Sequence, residues 1–348
     1  MPMNPRELRA AAADAFAIRC GINIPTPHPM AEQVGRLPLK DLAEQFGEAS
    51  GKPLSAAFTA LKAGLTSSDF GAAMGEGLRQ MMLRQFNVMA EHRQICAPVE
   101  VSDFRTIDLD FLDIGGSLAP VGENGEILSQ DHGAIVQNGG SAQLTSYARA
   151  LHISRVVIVN DSWGILQRAF AALGGSSSRL ENRMVFEALE ANPTLADSEP
   201  LFHEDHKNVV SGALNAAGLG VAMALLRSQE TPSGEQSGHR AAYLCVSPAE
   251  EFAARKLIHE AGLDMSVVTS VNIVSSPSLD AGRWYLMADP LVAPVVARLH
   301  LPGARDVPFR LEPTRPADGR DGLALKLTTD LGVSVVSRVG VVRGGTVE

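Results

Sequence analysis

The sequence predicts a mixed α+β chain: an extended N-terminal segment and a projecting hairpin attached to a body with one long helix and a small domain of alternating strands and helices. Three observations predict it. Apolar residues recur at helical spacing from Phe70 to Phe86, and the pattern then tightens toward a period of two from Phe104 to Ile114. A second helical pattern runs from Leu166 to Leu189 and stops at Asn192-Pro193. Beyond residue 210 short strand and helix patterns alternate, as they do in a small α/β domain.

In chain order, Pro5 to Arg19 forms a short helical stretch, and Gly21-Ile22-Asn23-Ile24-Pro25-Thr26-Pro27-His28-Pro29 follows, whose prolines favour extended backbone. A second amphipathic piece, Leu39 to Phe46, ends in a Gly/Ser/Pro stretch to Pro53, so residues 1–65 read as an arm that lies on something else. Thr66-Ser67-Ser68-Asp69 starts a helix that carries Phe70, Met74, Leu78, Met81, Met82 and Phe86 to about residue 92. Phe104 to Ile114 is a strand and Gln143 to Val159 a longer one. Residues 115–141 between them are rich in Gly, Asn, Asp and Ser, which suits a projection rather than the interior of a domain. Asn160-Asp161-Ser162 is placed to cap the long helix, with Gly174-Gly175-Ser176 as a bend. Then come a helix at Leu214 to Ser228, a strand at Ala241 to Val246, a helix at Pro248 to Ala261, strands at Val271 to Val274 and Arg283 to Met287, and a segment at Pro290 to Val296. Strands at Phe309 to Glu312, Ala324 to Thr328 and Val333 to Val342 need an earlier partner, and the 143–159 region is the one expected.

Composition excludes several classes. The 348 residues carry 39 acidic and 30 basic side chains, a formal charge of -9, and are 45% hydrophobic but 5% aromatic. Cys20, Cys96 and Cys245 are too few and too scattered for a disulfide framework or a local zinc knuckle. Every apolar run is broken well before the roughly 18 residues a membrane span needs, and the polar start from Met1 to Arg9 lacks an apolar signal core, so a cytosolic product without membrane contact is expected. The acidic balance argues against a nucleic-acid clamp, which needs clustered Lys and Arg. Between residues 100 and 150, eight acids (Glu100, Asp103, Asp108, Asp110, Asp113, Glu123, Glu126, Asp131) face two bases (Arg105, Arg149), a net of -6. That segment is either a solvated face or an interface for basic partners.

Residues that carry chemistry are scarce. His203-Glu204-Asp205-His206 places two imidazoles three residues apart near Asp197 and Glu199, a pattern that could be drawn as a metal site. Metalloprotease helices space such a pair by four, whereas this pair follows Pro200 in a loop, so loop histidines hydrogen-bonded to backbone are the plainer reading. Gly218-Leu219-Gly220 does not follow a strand and reads as close helix packing rather than a dinucleotide turn. There is no Gly-x-Ser-x-Gly elbow and no P-loop. Trp163 and Trp284 read as core, and Met74, Met81, Met82 and Met89 as adaptable packing. No catalytic, cofactor-binding or metal-binding residue is assigned.

The order of parts resembles the Hong Kong 97 fold of tailed-phage major capsid proteins. Specific strings agree: Thr66-Ser67-Ser68-Asp69-Phe70, Asp103-Phe104-Arg105, Ile153-Ser154-Arg155 leading into Val159-Asn160-Asp161, Ala191-Asn192-Pro193, Leu201-Phe202-His203 and His206-Lys207-Asn208. Together they look like the Mu-like major head subunits and the capsid portion of prohead protease–capsid fusions, over roughly residues 66 to 345. The resemblance implies an N-terminal arm (1–65), an entry helix (66–100), an E-loop hairpin (101–155), a peripheral domain (156–210 and 309–348) with the long helix as its spine, and an axial domain (211–308). Two departures from the family pattern bear on function. No protease domain precedes the arm, so a protease would be a separate product or already removed. No lysine lies between Val99 and His206, so the E-loop has no amine for the isopeptide cross-link some relatives use, and noncovalent contacts or a cementing protein are expected to hold the shell.

The expected function is therefore a major capsid protein, not an enzyme, that assembles as hexamers and pentamers into the icosahedral head of a tailed phage. It would enclose double-stranded DNA without sequence-specific binding, and its partners would be itself, a portal, a scaffold or maturation protease and a decoration protein. It would assemble in the host cytoplasm and reside in the virion. The E-loop acids Asp103, Asp108, Asp110, Asp113, Glu123, Glu126 and Asp131 are expected at inter-subunit contacts, with Arg79, Arg84, Arg93, Arg168, Arg179 and Arg183 as their basic partners. The alternatives are an encapsulin-like nanocompartment shell and a soluble metal-dependent enzyme using His203 and His206.

Overall fold

The computed structural model describes residues 4–49, 68–113, 135–232, 234–263, 270–314 and 321–345, with backbone alone for 68, 110–113 and 135–139. The helices are α1 (Pro5–Arg19), α2 (Ala31–Gly35), α3 (Leu39–Ala49), α4 (Ser68–Val88), α5 (Arg155–Val159), α6 (Trp163–Glu190), α7 (Ala216–Ser228) and α8 (Glu251–Glu260). The strands are β1 (Cys96–Glu100), β2 (Ile107–Asp113), β3 (Ile135–Ala142), β4 (Thr145–Ser154), β5 (Val209–Ser211), β6 (Tyr243–Val246), β7 (Asn272–Ser275), β8 (Arg283–Met287), β9 (Val296–His300), β10 (Phe309–Thr314), β11 (Gly322–Val335) and β12 (Val341–Gly345). The chain divides into two units, residues 1–90, 146–180 and 303–330 in the first and 91–145, 181–302 and 331–348 in the second.

The first unit is built around α4. Its apolar residues Phe70, Met74, Leu78, Met82 and Phe86 recur every four residues and are fully buried, so one stripe of the helix forms the centre of a core. Residues 5–49, expected to lie on something else, supply much of that core. Asn4 caps α1 by accepting the Arg6 N–H (3.2 Å), with Pro5 in the first turn, and Leu8, Ala11, Ala12, Ala15 and Phe16 are buried. In α3, Leu39, Leu42, Ala43 and Phe46 repeat at helical spacing and are buried as well. Phe16 stacks on Trp163 with centroids 5.5 Å apart and meets the edge of Phe70 at 6.3 Å. Gly77 allows α1 to approach closely, since a Cβ there would overlap the carbonyl oxygen of Ala13.

Asp161, expected as a helix cap, ties elements together instead. Its φ is 47°, its Oδ1 accepts the Leu39 N–H (3.0 Å), and its Oδ2 lies 3.3 Å from the Arg19 guanidinium. Arg19 in turn sits 4.7 Å above the Trp163 ring. The strand expected over Gln143 to Val159 ends at Ser154, and Arg155–Val159 turns into α5, where Arg155 Nε is 2.8 Å from Asp321 and Ile158 is buried. The bend expected at Gly174 is absent. The helix α6 runs unbroken, and Gly174 is needed because a Cβ would overlap the Met82 carbonyl oxygen of α4. By contrast Gly220, expected to allow close packing, faces open space. Of the late strands, β11 finds its expected partner in β4, but the other two do not: β10 runs antiparallel to β11 from Phe309↔Thr329 to Thr314↔Ala324, and the strand expected over Val333 to Val342 is divided between the end of β11, which pairs with β9, and β12, which pairs with β5 and β8.

The second unit holds a five-stranded mixed sheet in the order β5-β12-β8-β6-β7. Alternate residues face opposite sides. Cys245, Val274, Tyr285, Met287 and Val341 pack with Val185, Phe186 and Leu189 at the end of α6, while Leu244, Val246, Trp284, Leu286 and Val342 pack under α7 and α8. Beside this sheet β1 pairs parallel with β9, and β9 pairs antiparallel with Gly332 to Val335 of β11. The separate strands expected around Gly332 are one strand as far as Val335, because glycine lets the Gln143 carbonyl oxygen approach the backbone there. The hairpin pairs Ile107 with Ala142 through Asp113 with Ile135, with a shift of register between Leu109 and Asp110.

Candidate assembly surfaces

With no metal or catalytic constellation expected, the charged residues assigned to contacts define the candidate site. In the first unit Arg79 and Arg84 are exposed on α4, and Arg168 and Arg179 are exposed on α6. In the second unit Arg183 is exposed, with its Nε 3.5 Å from Glu187 one turn on. Of the acids, Asp108 is exposed and Asp103 half-buried, its Oδ1 accepting the Arg105 N–H (2.9 Å). Asp110 and Asp113 are placed by their backbone in β2, and Glu123, Glu126 and Asp131 lie outside the described residues.

Arg93 has a partner that sequence reasoning missed. Its Nε and terminal nitrogen donate to the two oxygens of Glu181 (2.6 and 2.8 Å), a fork-on-fork pair inside the second unit. Glu181 is fully buried, and its Oε1 is also 3.2 Å from the His92 Nε2 and 3.5 Å from the Arg298 Nε. The 3₁₀ turn Glu91–Ile95, the helix α6 and the strand β9 thus meet on one carboxylate. Burial alone would raise its pKa, but hydrogen bonds from His92 and Arg93 and the charges of Arg93 and Arg298 outweigh it and hold the group at about 2. Neighbouring Cys96 is pushed up to about 12 by burial and by that same negative charge. The signal in the sequence was positional: Glu181 lies four residues before Val185 and eight after Leu173, on the stripe of α6 that faces a core.

The two loop histidines are structural. His206 is buried, with Nδ1 3.1 Å from the Leu201 carbonyl and Nε2 2.9 Å from Asp197, while His203 lies near Glu199 and Asp205 at 3.5 and 3.4 Å. Their ring centroids are 6.1 Å apart, and among the described residues no group of three metal-ligating side chains converges. Nearby, Glu190 accepts the Tyr285 hydroxyl (2.9 Å) and pairs with Arg283, and burial followed by that carboxylate raises the tyrosine.

Two open grooves flank α4 in the first unit. One, of about 530 Å³, is lined by Ile22, Gln80, Leu83, Arg84, Asn87 and Val88. The other, of about 380 Å³, lies against β10 and carries Arg9, Arg79 and Arg310 beside Glu76 and Glu312. In it Arg9 is 3.5 Å from Glu76, and Arg310 is held 2.8 Å from Asp330. The first groove is thus mostly apolar with a single base, and the second carries three bases beside two acids. Among the described residues no helix is long and apolar enough to cross a membrane.

A family model described as phage capsid protein matches residues 139–344. No curated protein matches the sequence. Among solved structures, the chain is similar to a virus-like particle from Pyrococcus furiosus at 12% identity and a TM-score of 0.50, covering 77% of this chain and 97% of that one. It is also similar to the capsid of Ralstonia phage GP4 (10% identity, TM-score 0.49, covering 72% and 87%) and to the SrpI encapsulin complex of Synechococcus elongatus (11%, 0.49, covering 76% and 89%). The first of these carries the argument for a shared fold, the Hong Kong 97-type arrangement of a mixed α+β chain.

Proposed function

The chain belongs to the phage capsid protein family, and from that premise we propose that it is the major head subunit of a tailed phage, assembling as hexamers and pentamers into an icosahedral shell around double-stranded DNA. The observation that carries the reading is the family match, which spans more than half of the chain and includes both α6 and the mixed sheet of the second unit. Within the family, the ordered strings from Thr66 to Asn208 favour the Mu-like head subunits. The family is structural, and the paired His206 and Asp197 leave the metal-enzyme alternative without support.

The charge distribution suits a container. A net charge of -9 favours a wall that does not hold DNA tightly, so the genome can be packed and released. Exposed Arg79, Arg84, Arg168, Arg179 and Arg183 are available to the acids of the hairpin in neighbouring copies, whereas Arg93 is committed to Glu181. Contacts of that kind are individually modest and polar, which lets them be broken and remade during assembly. Assembly takes place in the host cytoplasm and the product resides in the virion, with a portal, a scaffold or protease and a decoration protein as further partners.

Negative-stain microscopy and light scattering of the expressed chain test this reading: shells of megadalton size are expected, and a monomer or small oligomer under all assembly conditions would overturn it. Nuclease-protected DNA inside shells from infected cells separates a virus head from an encapsulin-like compartment, which would hold a cargo protein.

A further inference from the structure

The larger groove beside α4 has a floor and rim that specify what would fill it. Leu83 and Ile22 are half-buried in it, Val88 is 68% exposed, and Arg84 stands at its edge. From Gly77 to Val88 the helix carries Arg79 and Arg84 and no acid. An occupant must therefore bring apolar surface to cover Leu83 and Val88 and negative charge to meet Arg84 at the rim.

In the second unit the turn between β1 and β2 offers both. Phe104 is 42% exposed, yet its turn is fixed: Gln143 Nε2 donates to the Phe104 carbonyl (2.8 Å) and Asp103 accepts the Arg105 N–H (2.9 Å). A preformed turn loses little freedom on docking. Residues 100–113 carry Glu100, Asp103, Asp108, Asp110 and Asp113 against Arg105 alone. Among the described residues the other well-exposed phenylalanine, Phe252, is flanked by Arg255 and Lys256 as well as by Glu250 and Glu251, so it has no net charge to offer Arg84.

We propose that the groove lined by Ile22, Leu83, Arg84 and Val88 receives the turn of residues 103–108 from a second copy of this chain, Phe104 covering the apolar floor and the acids Asp103 and Asp108 meeting Arg84. This rests on the shell reading only in requiring that copies meet. It gives the assembly a contact made by the turn that leads into β2, distinct from any made by the acids Glu123, Glu126 and Asp131.

The test pairs Val88→Cys with Phe104→Cys in the full chain carrying Cys20→Ser, since the free Cys20 lies two residues from Ile22, oxidises the assembled or concentrated protein and resolves it on a non-reducing gel. A ladder of dimers and higher species is expected, absent from either single variant. A cross-link that leaves the chain at monomer size would assign the turn to its own groove and overturn the proposal, as would no cross-link at all in material that has associated. Because both positions are surface ones, folding is checked by an unchanged circular dichroism spectrum. As a second readout, Arg84→Glu and Asp108→Lys should each abolish the ladder at low salt and restore it when combined in one chain, and failure to restore it would also sink the idea. Particle formation by the unmodified chain is scored separately by microscopy. It tests the shell reading, and the ladder decides the contact whichever way that goes.

Discussion

Glu181 and Asp108 are both acids in the second unit, and their surroundings give them opposite roles. Glu181 is fully buried, with two arginines and a histidine aimed at it, while Asp108 lies exposed on the hairpin. The first carboxylate has been taken out of water and must keep every partner, since a buried ion pair that loses one member leaves an uncompensated charge. The second keeps its water and can exchange it for a partner on another molecule at modest cost. Arg93 and Arg84 repeat the contrast from the basic side. Charge of a given sign in the sequence therefore does not announce an interface, and burial decides whether it is spent within the chain.

Replacing Glu181 with alanine is the strongest way to press this contrast. It would remove the carboxylate that Arg93 and Arg298 face and is expected to cost about 3–5 kcal/mol of stability, read as a fall in the denaturant midpoint. A loss below about 1 kcal/mol would mean that the cluster is not a structural centre. Acid gives a related effect. Since the folded-state pKa is depressed to about 2 from an ordinary value of 4.5, the stabilisation is complete above the ordinary value and disappears as pH falls through about 2. It amounts to something on the order of 3 kcal/mol, and an acid titration of thermal stability should show that loss in the parent and lack it in Glu181→Gln.

The helix that carries Glu181 offers a steric counterpart. Gly174→Ala must push the Met82 carbonyl away and should destabilise by about 1–3 kcal/mol, whereas Gly220→Ala, facing open space in α7, should be neutral or stabilise by up to about 1 kcal/mol. Equal melting temperatures for the two would overturn the close contact between α4 and α6. Smallest of all, Asp108→Asn and Arg183→Ala should each change the stability of the unassembled chain by less than about 0.5 kcal/mol. A larger shift in either would show that the exposed charges are not spare.

The sequence was a good guide wherever local pattern and tertiary packing agreed. The strand Arg283–Met287 and the end of α7 at Ser228 fall where the alternation and the helical period placed them. Agreement failed where a distant neighbour decided. Arg155-Val156-Val157-Ile158-Val159 is rich in β-branched residues and reads as strand, yet the tie from Arg155 to Asp321 and the burial of Ile158 make it helix. Gly174 reads as a weak point in a helix until the Met82 carbonyl is known to lie against it, and nothing within ten residues of Gly174 reveals that. For the surfaces, the exposure of Arg79, Arg84, Arg168, Arg179 and Arg183 was legible from their polar positions on α4 and α6. The capture of Arg93 was not, because its partner is 88 residues away.

The strand β12 lies between β5 and β8 in the sheet of the second unit, and Gly344 is flattened against the Trp284 ring, where any side chain would overlap the indole. Its neighbours β5 and β8 are translated well before it. A chain made only as far as residue 287 thus has an empty slot between β5 and β8, and the core around Trp284 and Val342 cannot close until residues 341–345 emerge. Chains interrupted earlier lack the strand that joins β5 to the rest of this sheet and leave Trp284 without the backbone that covers it.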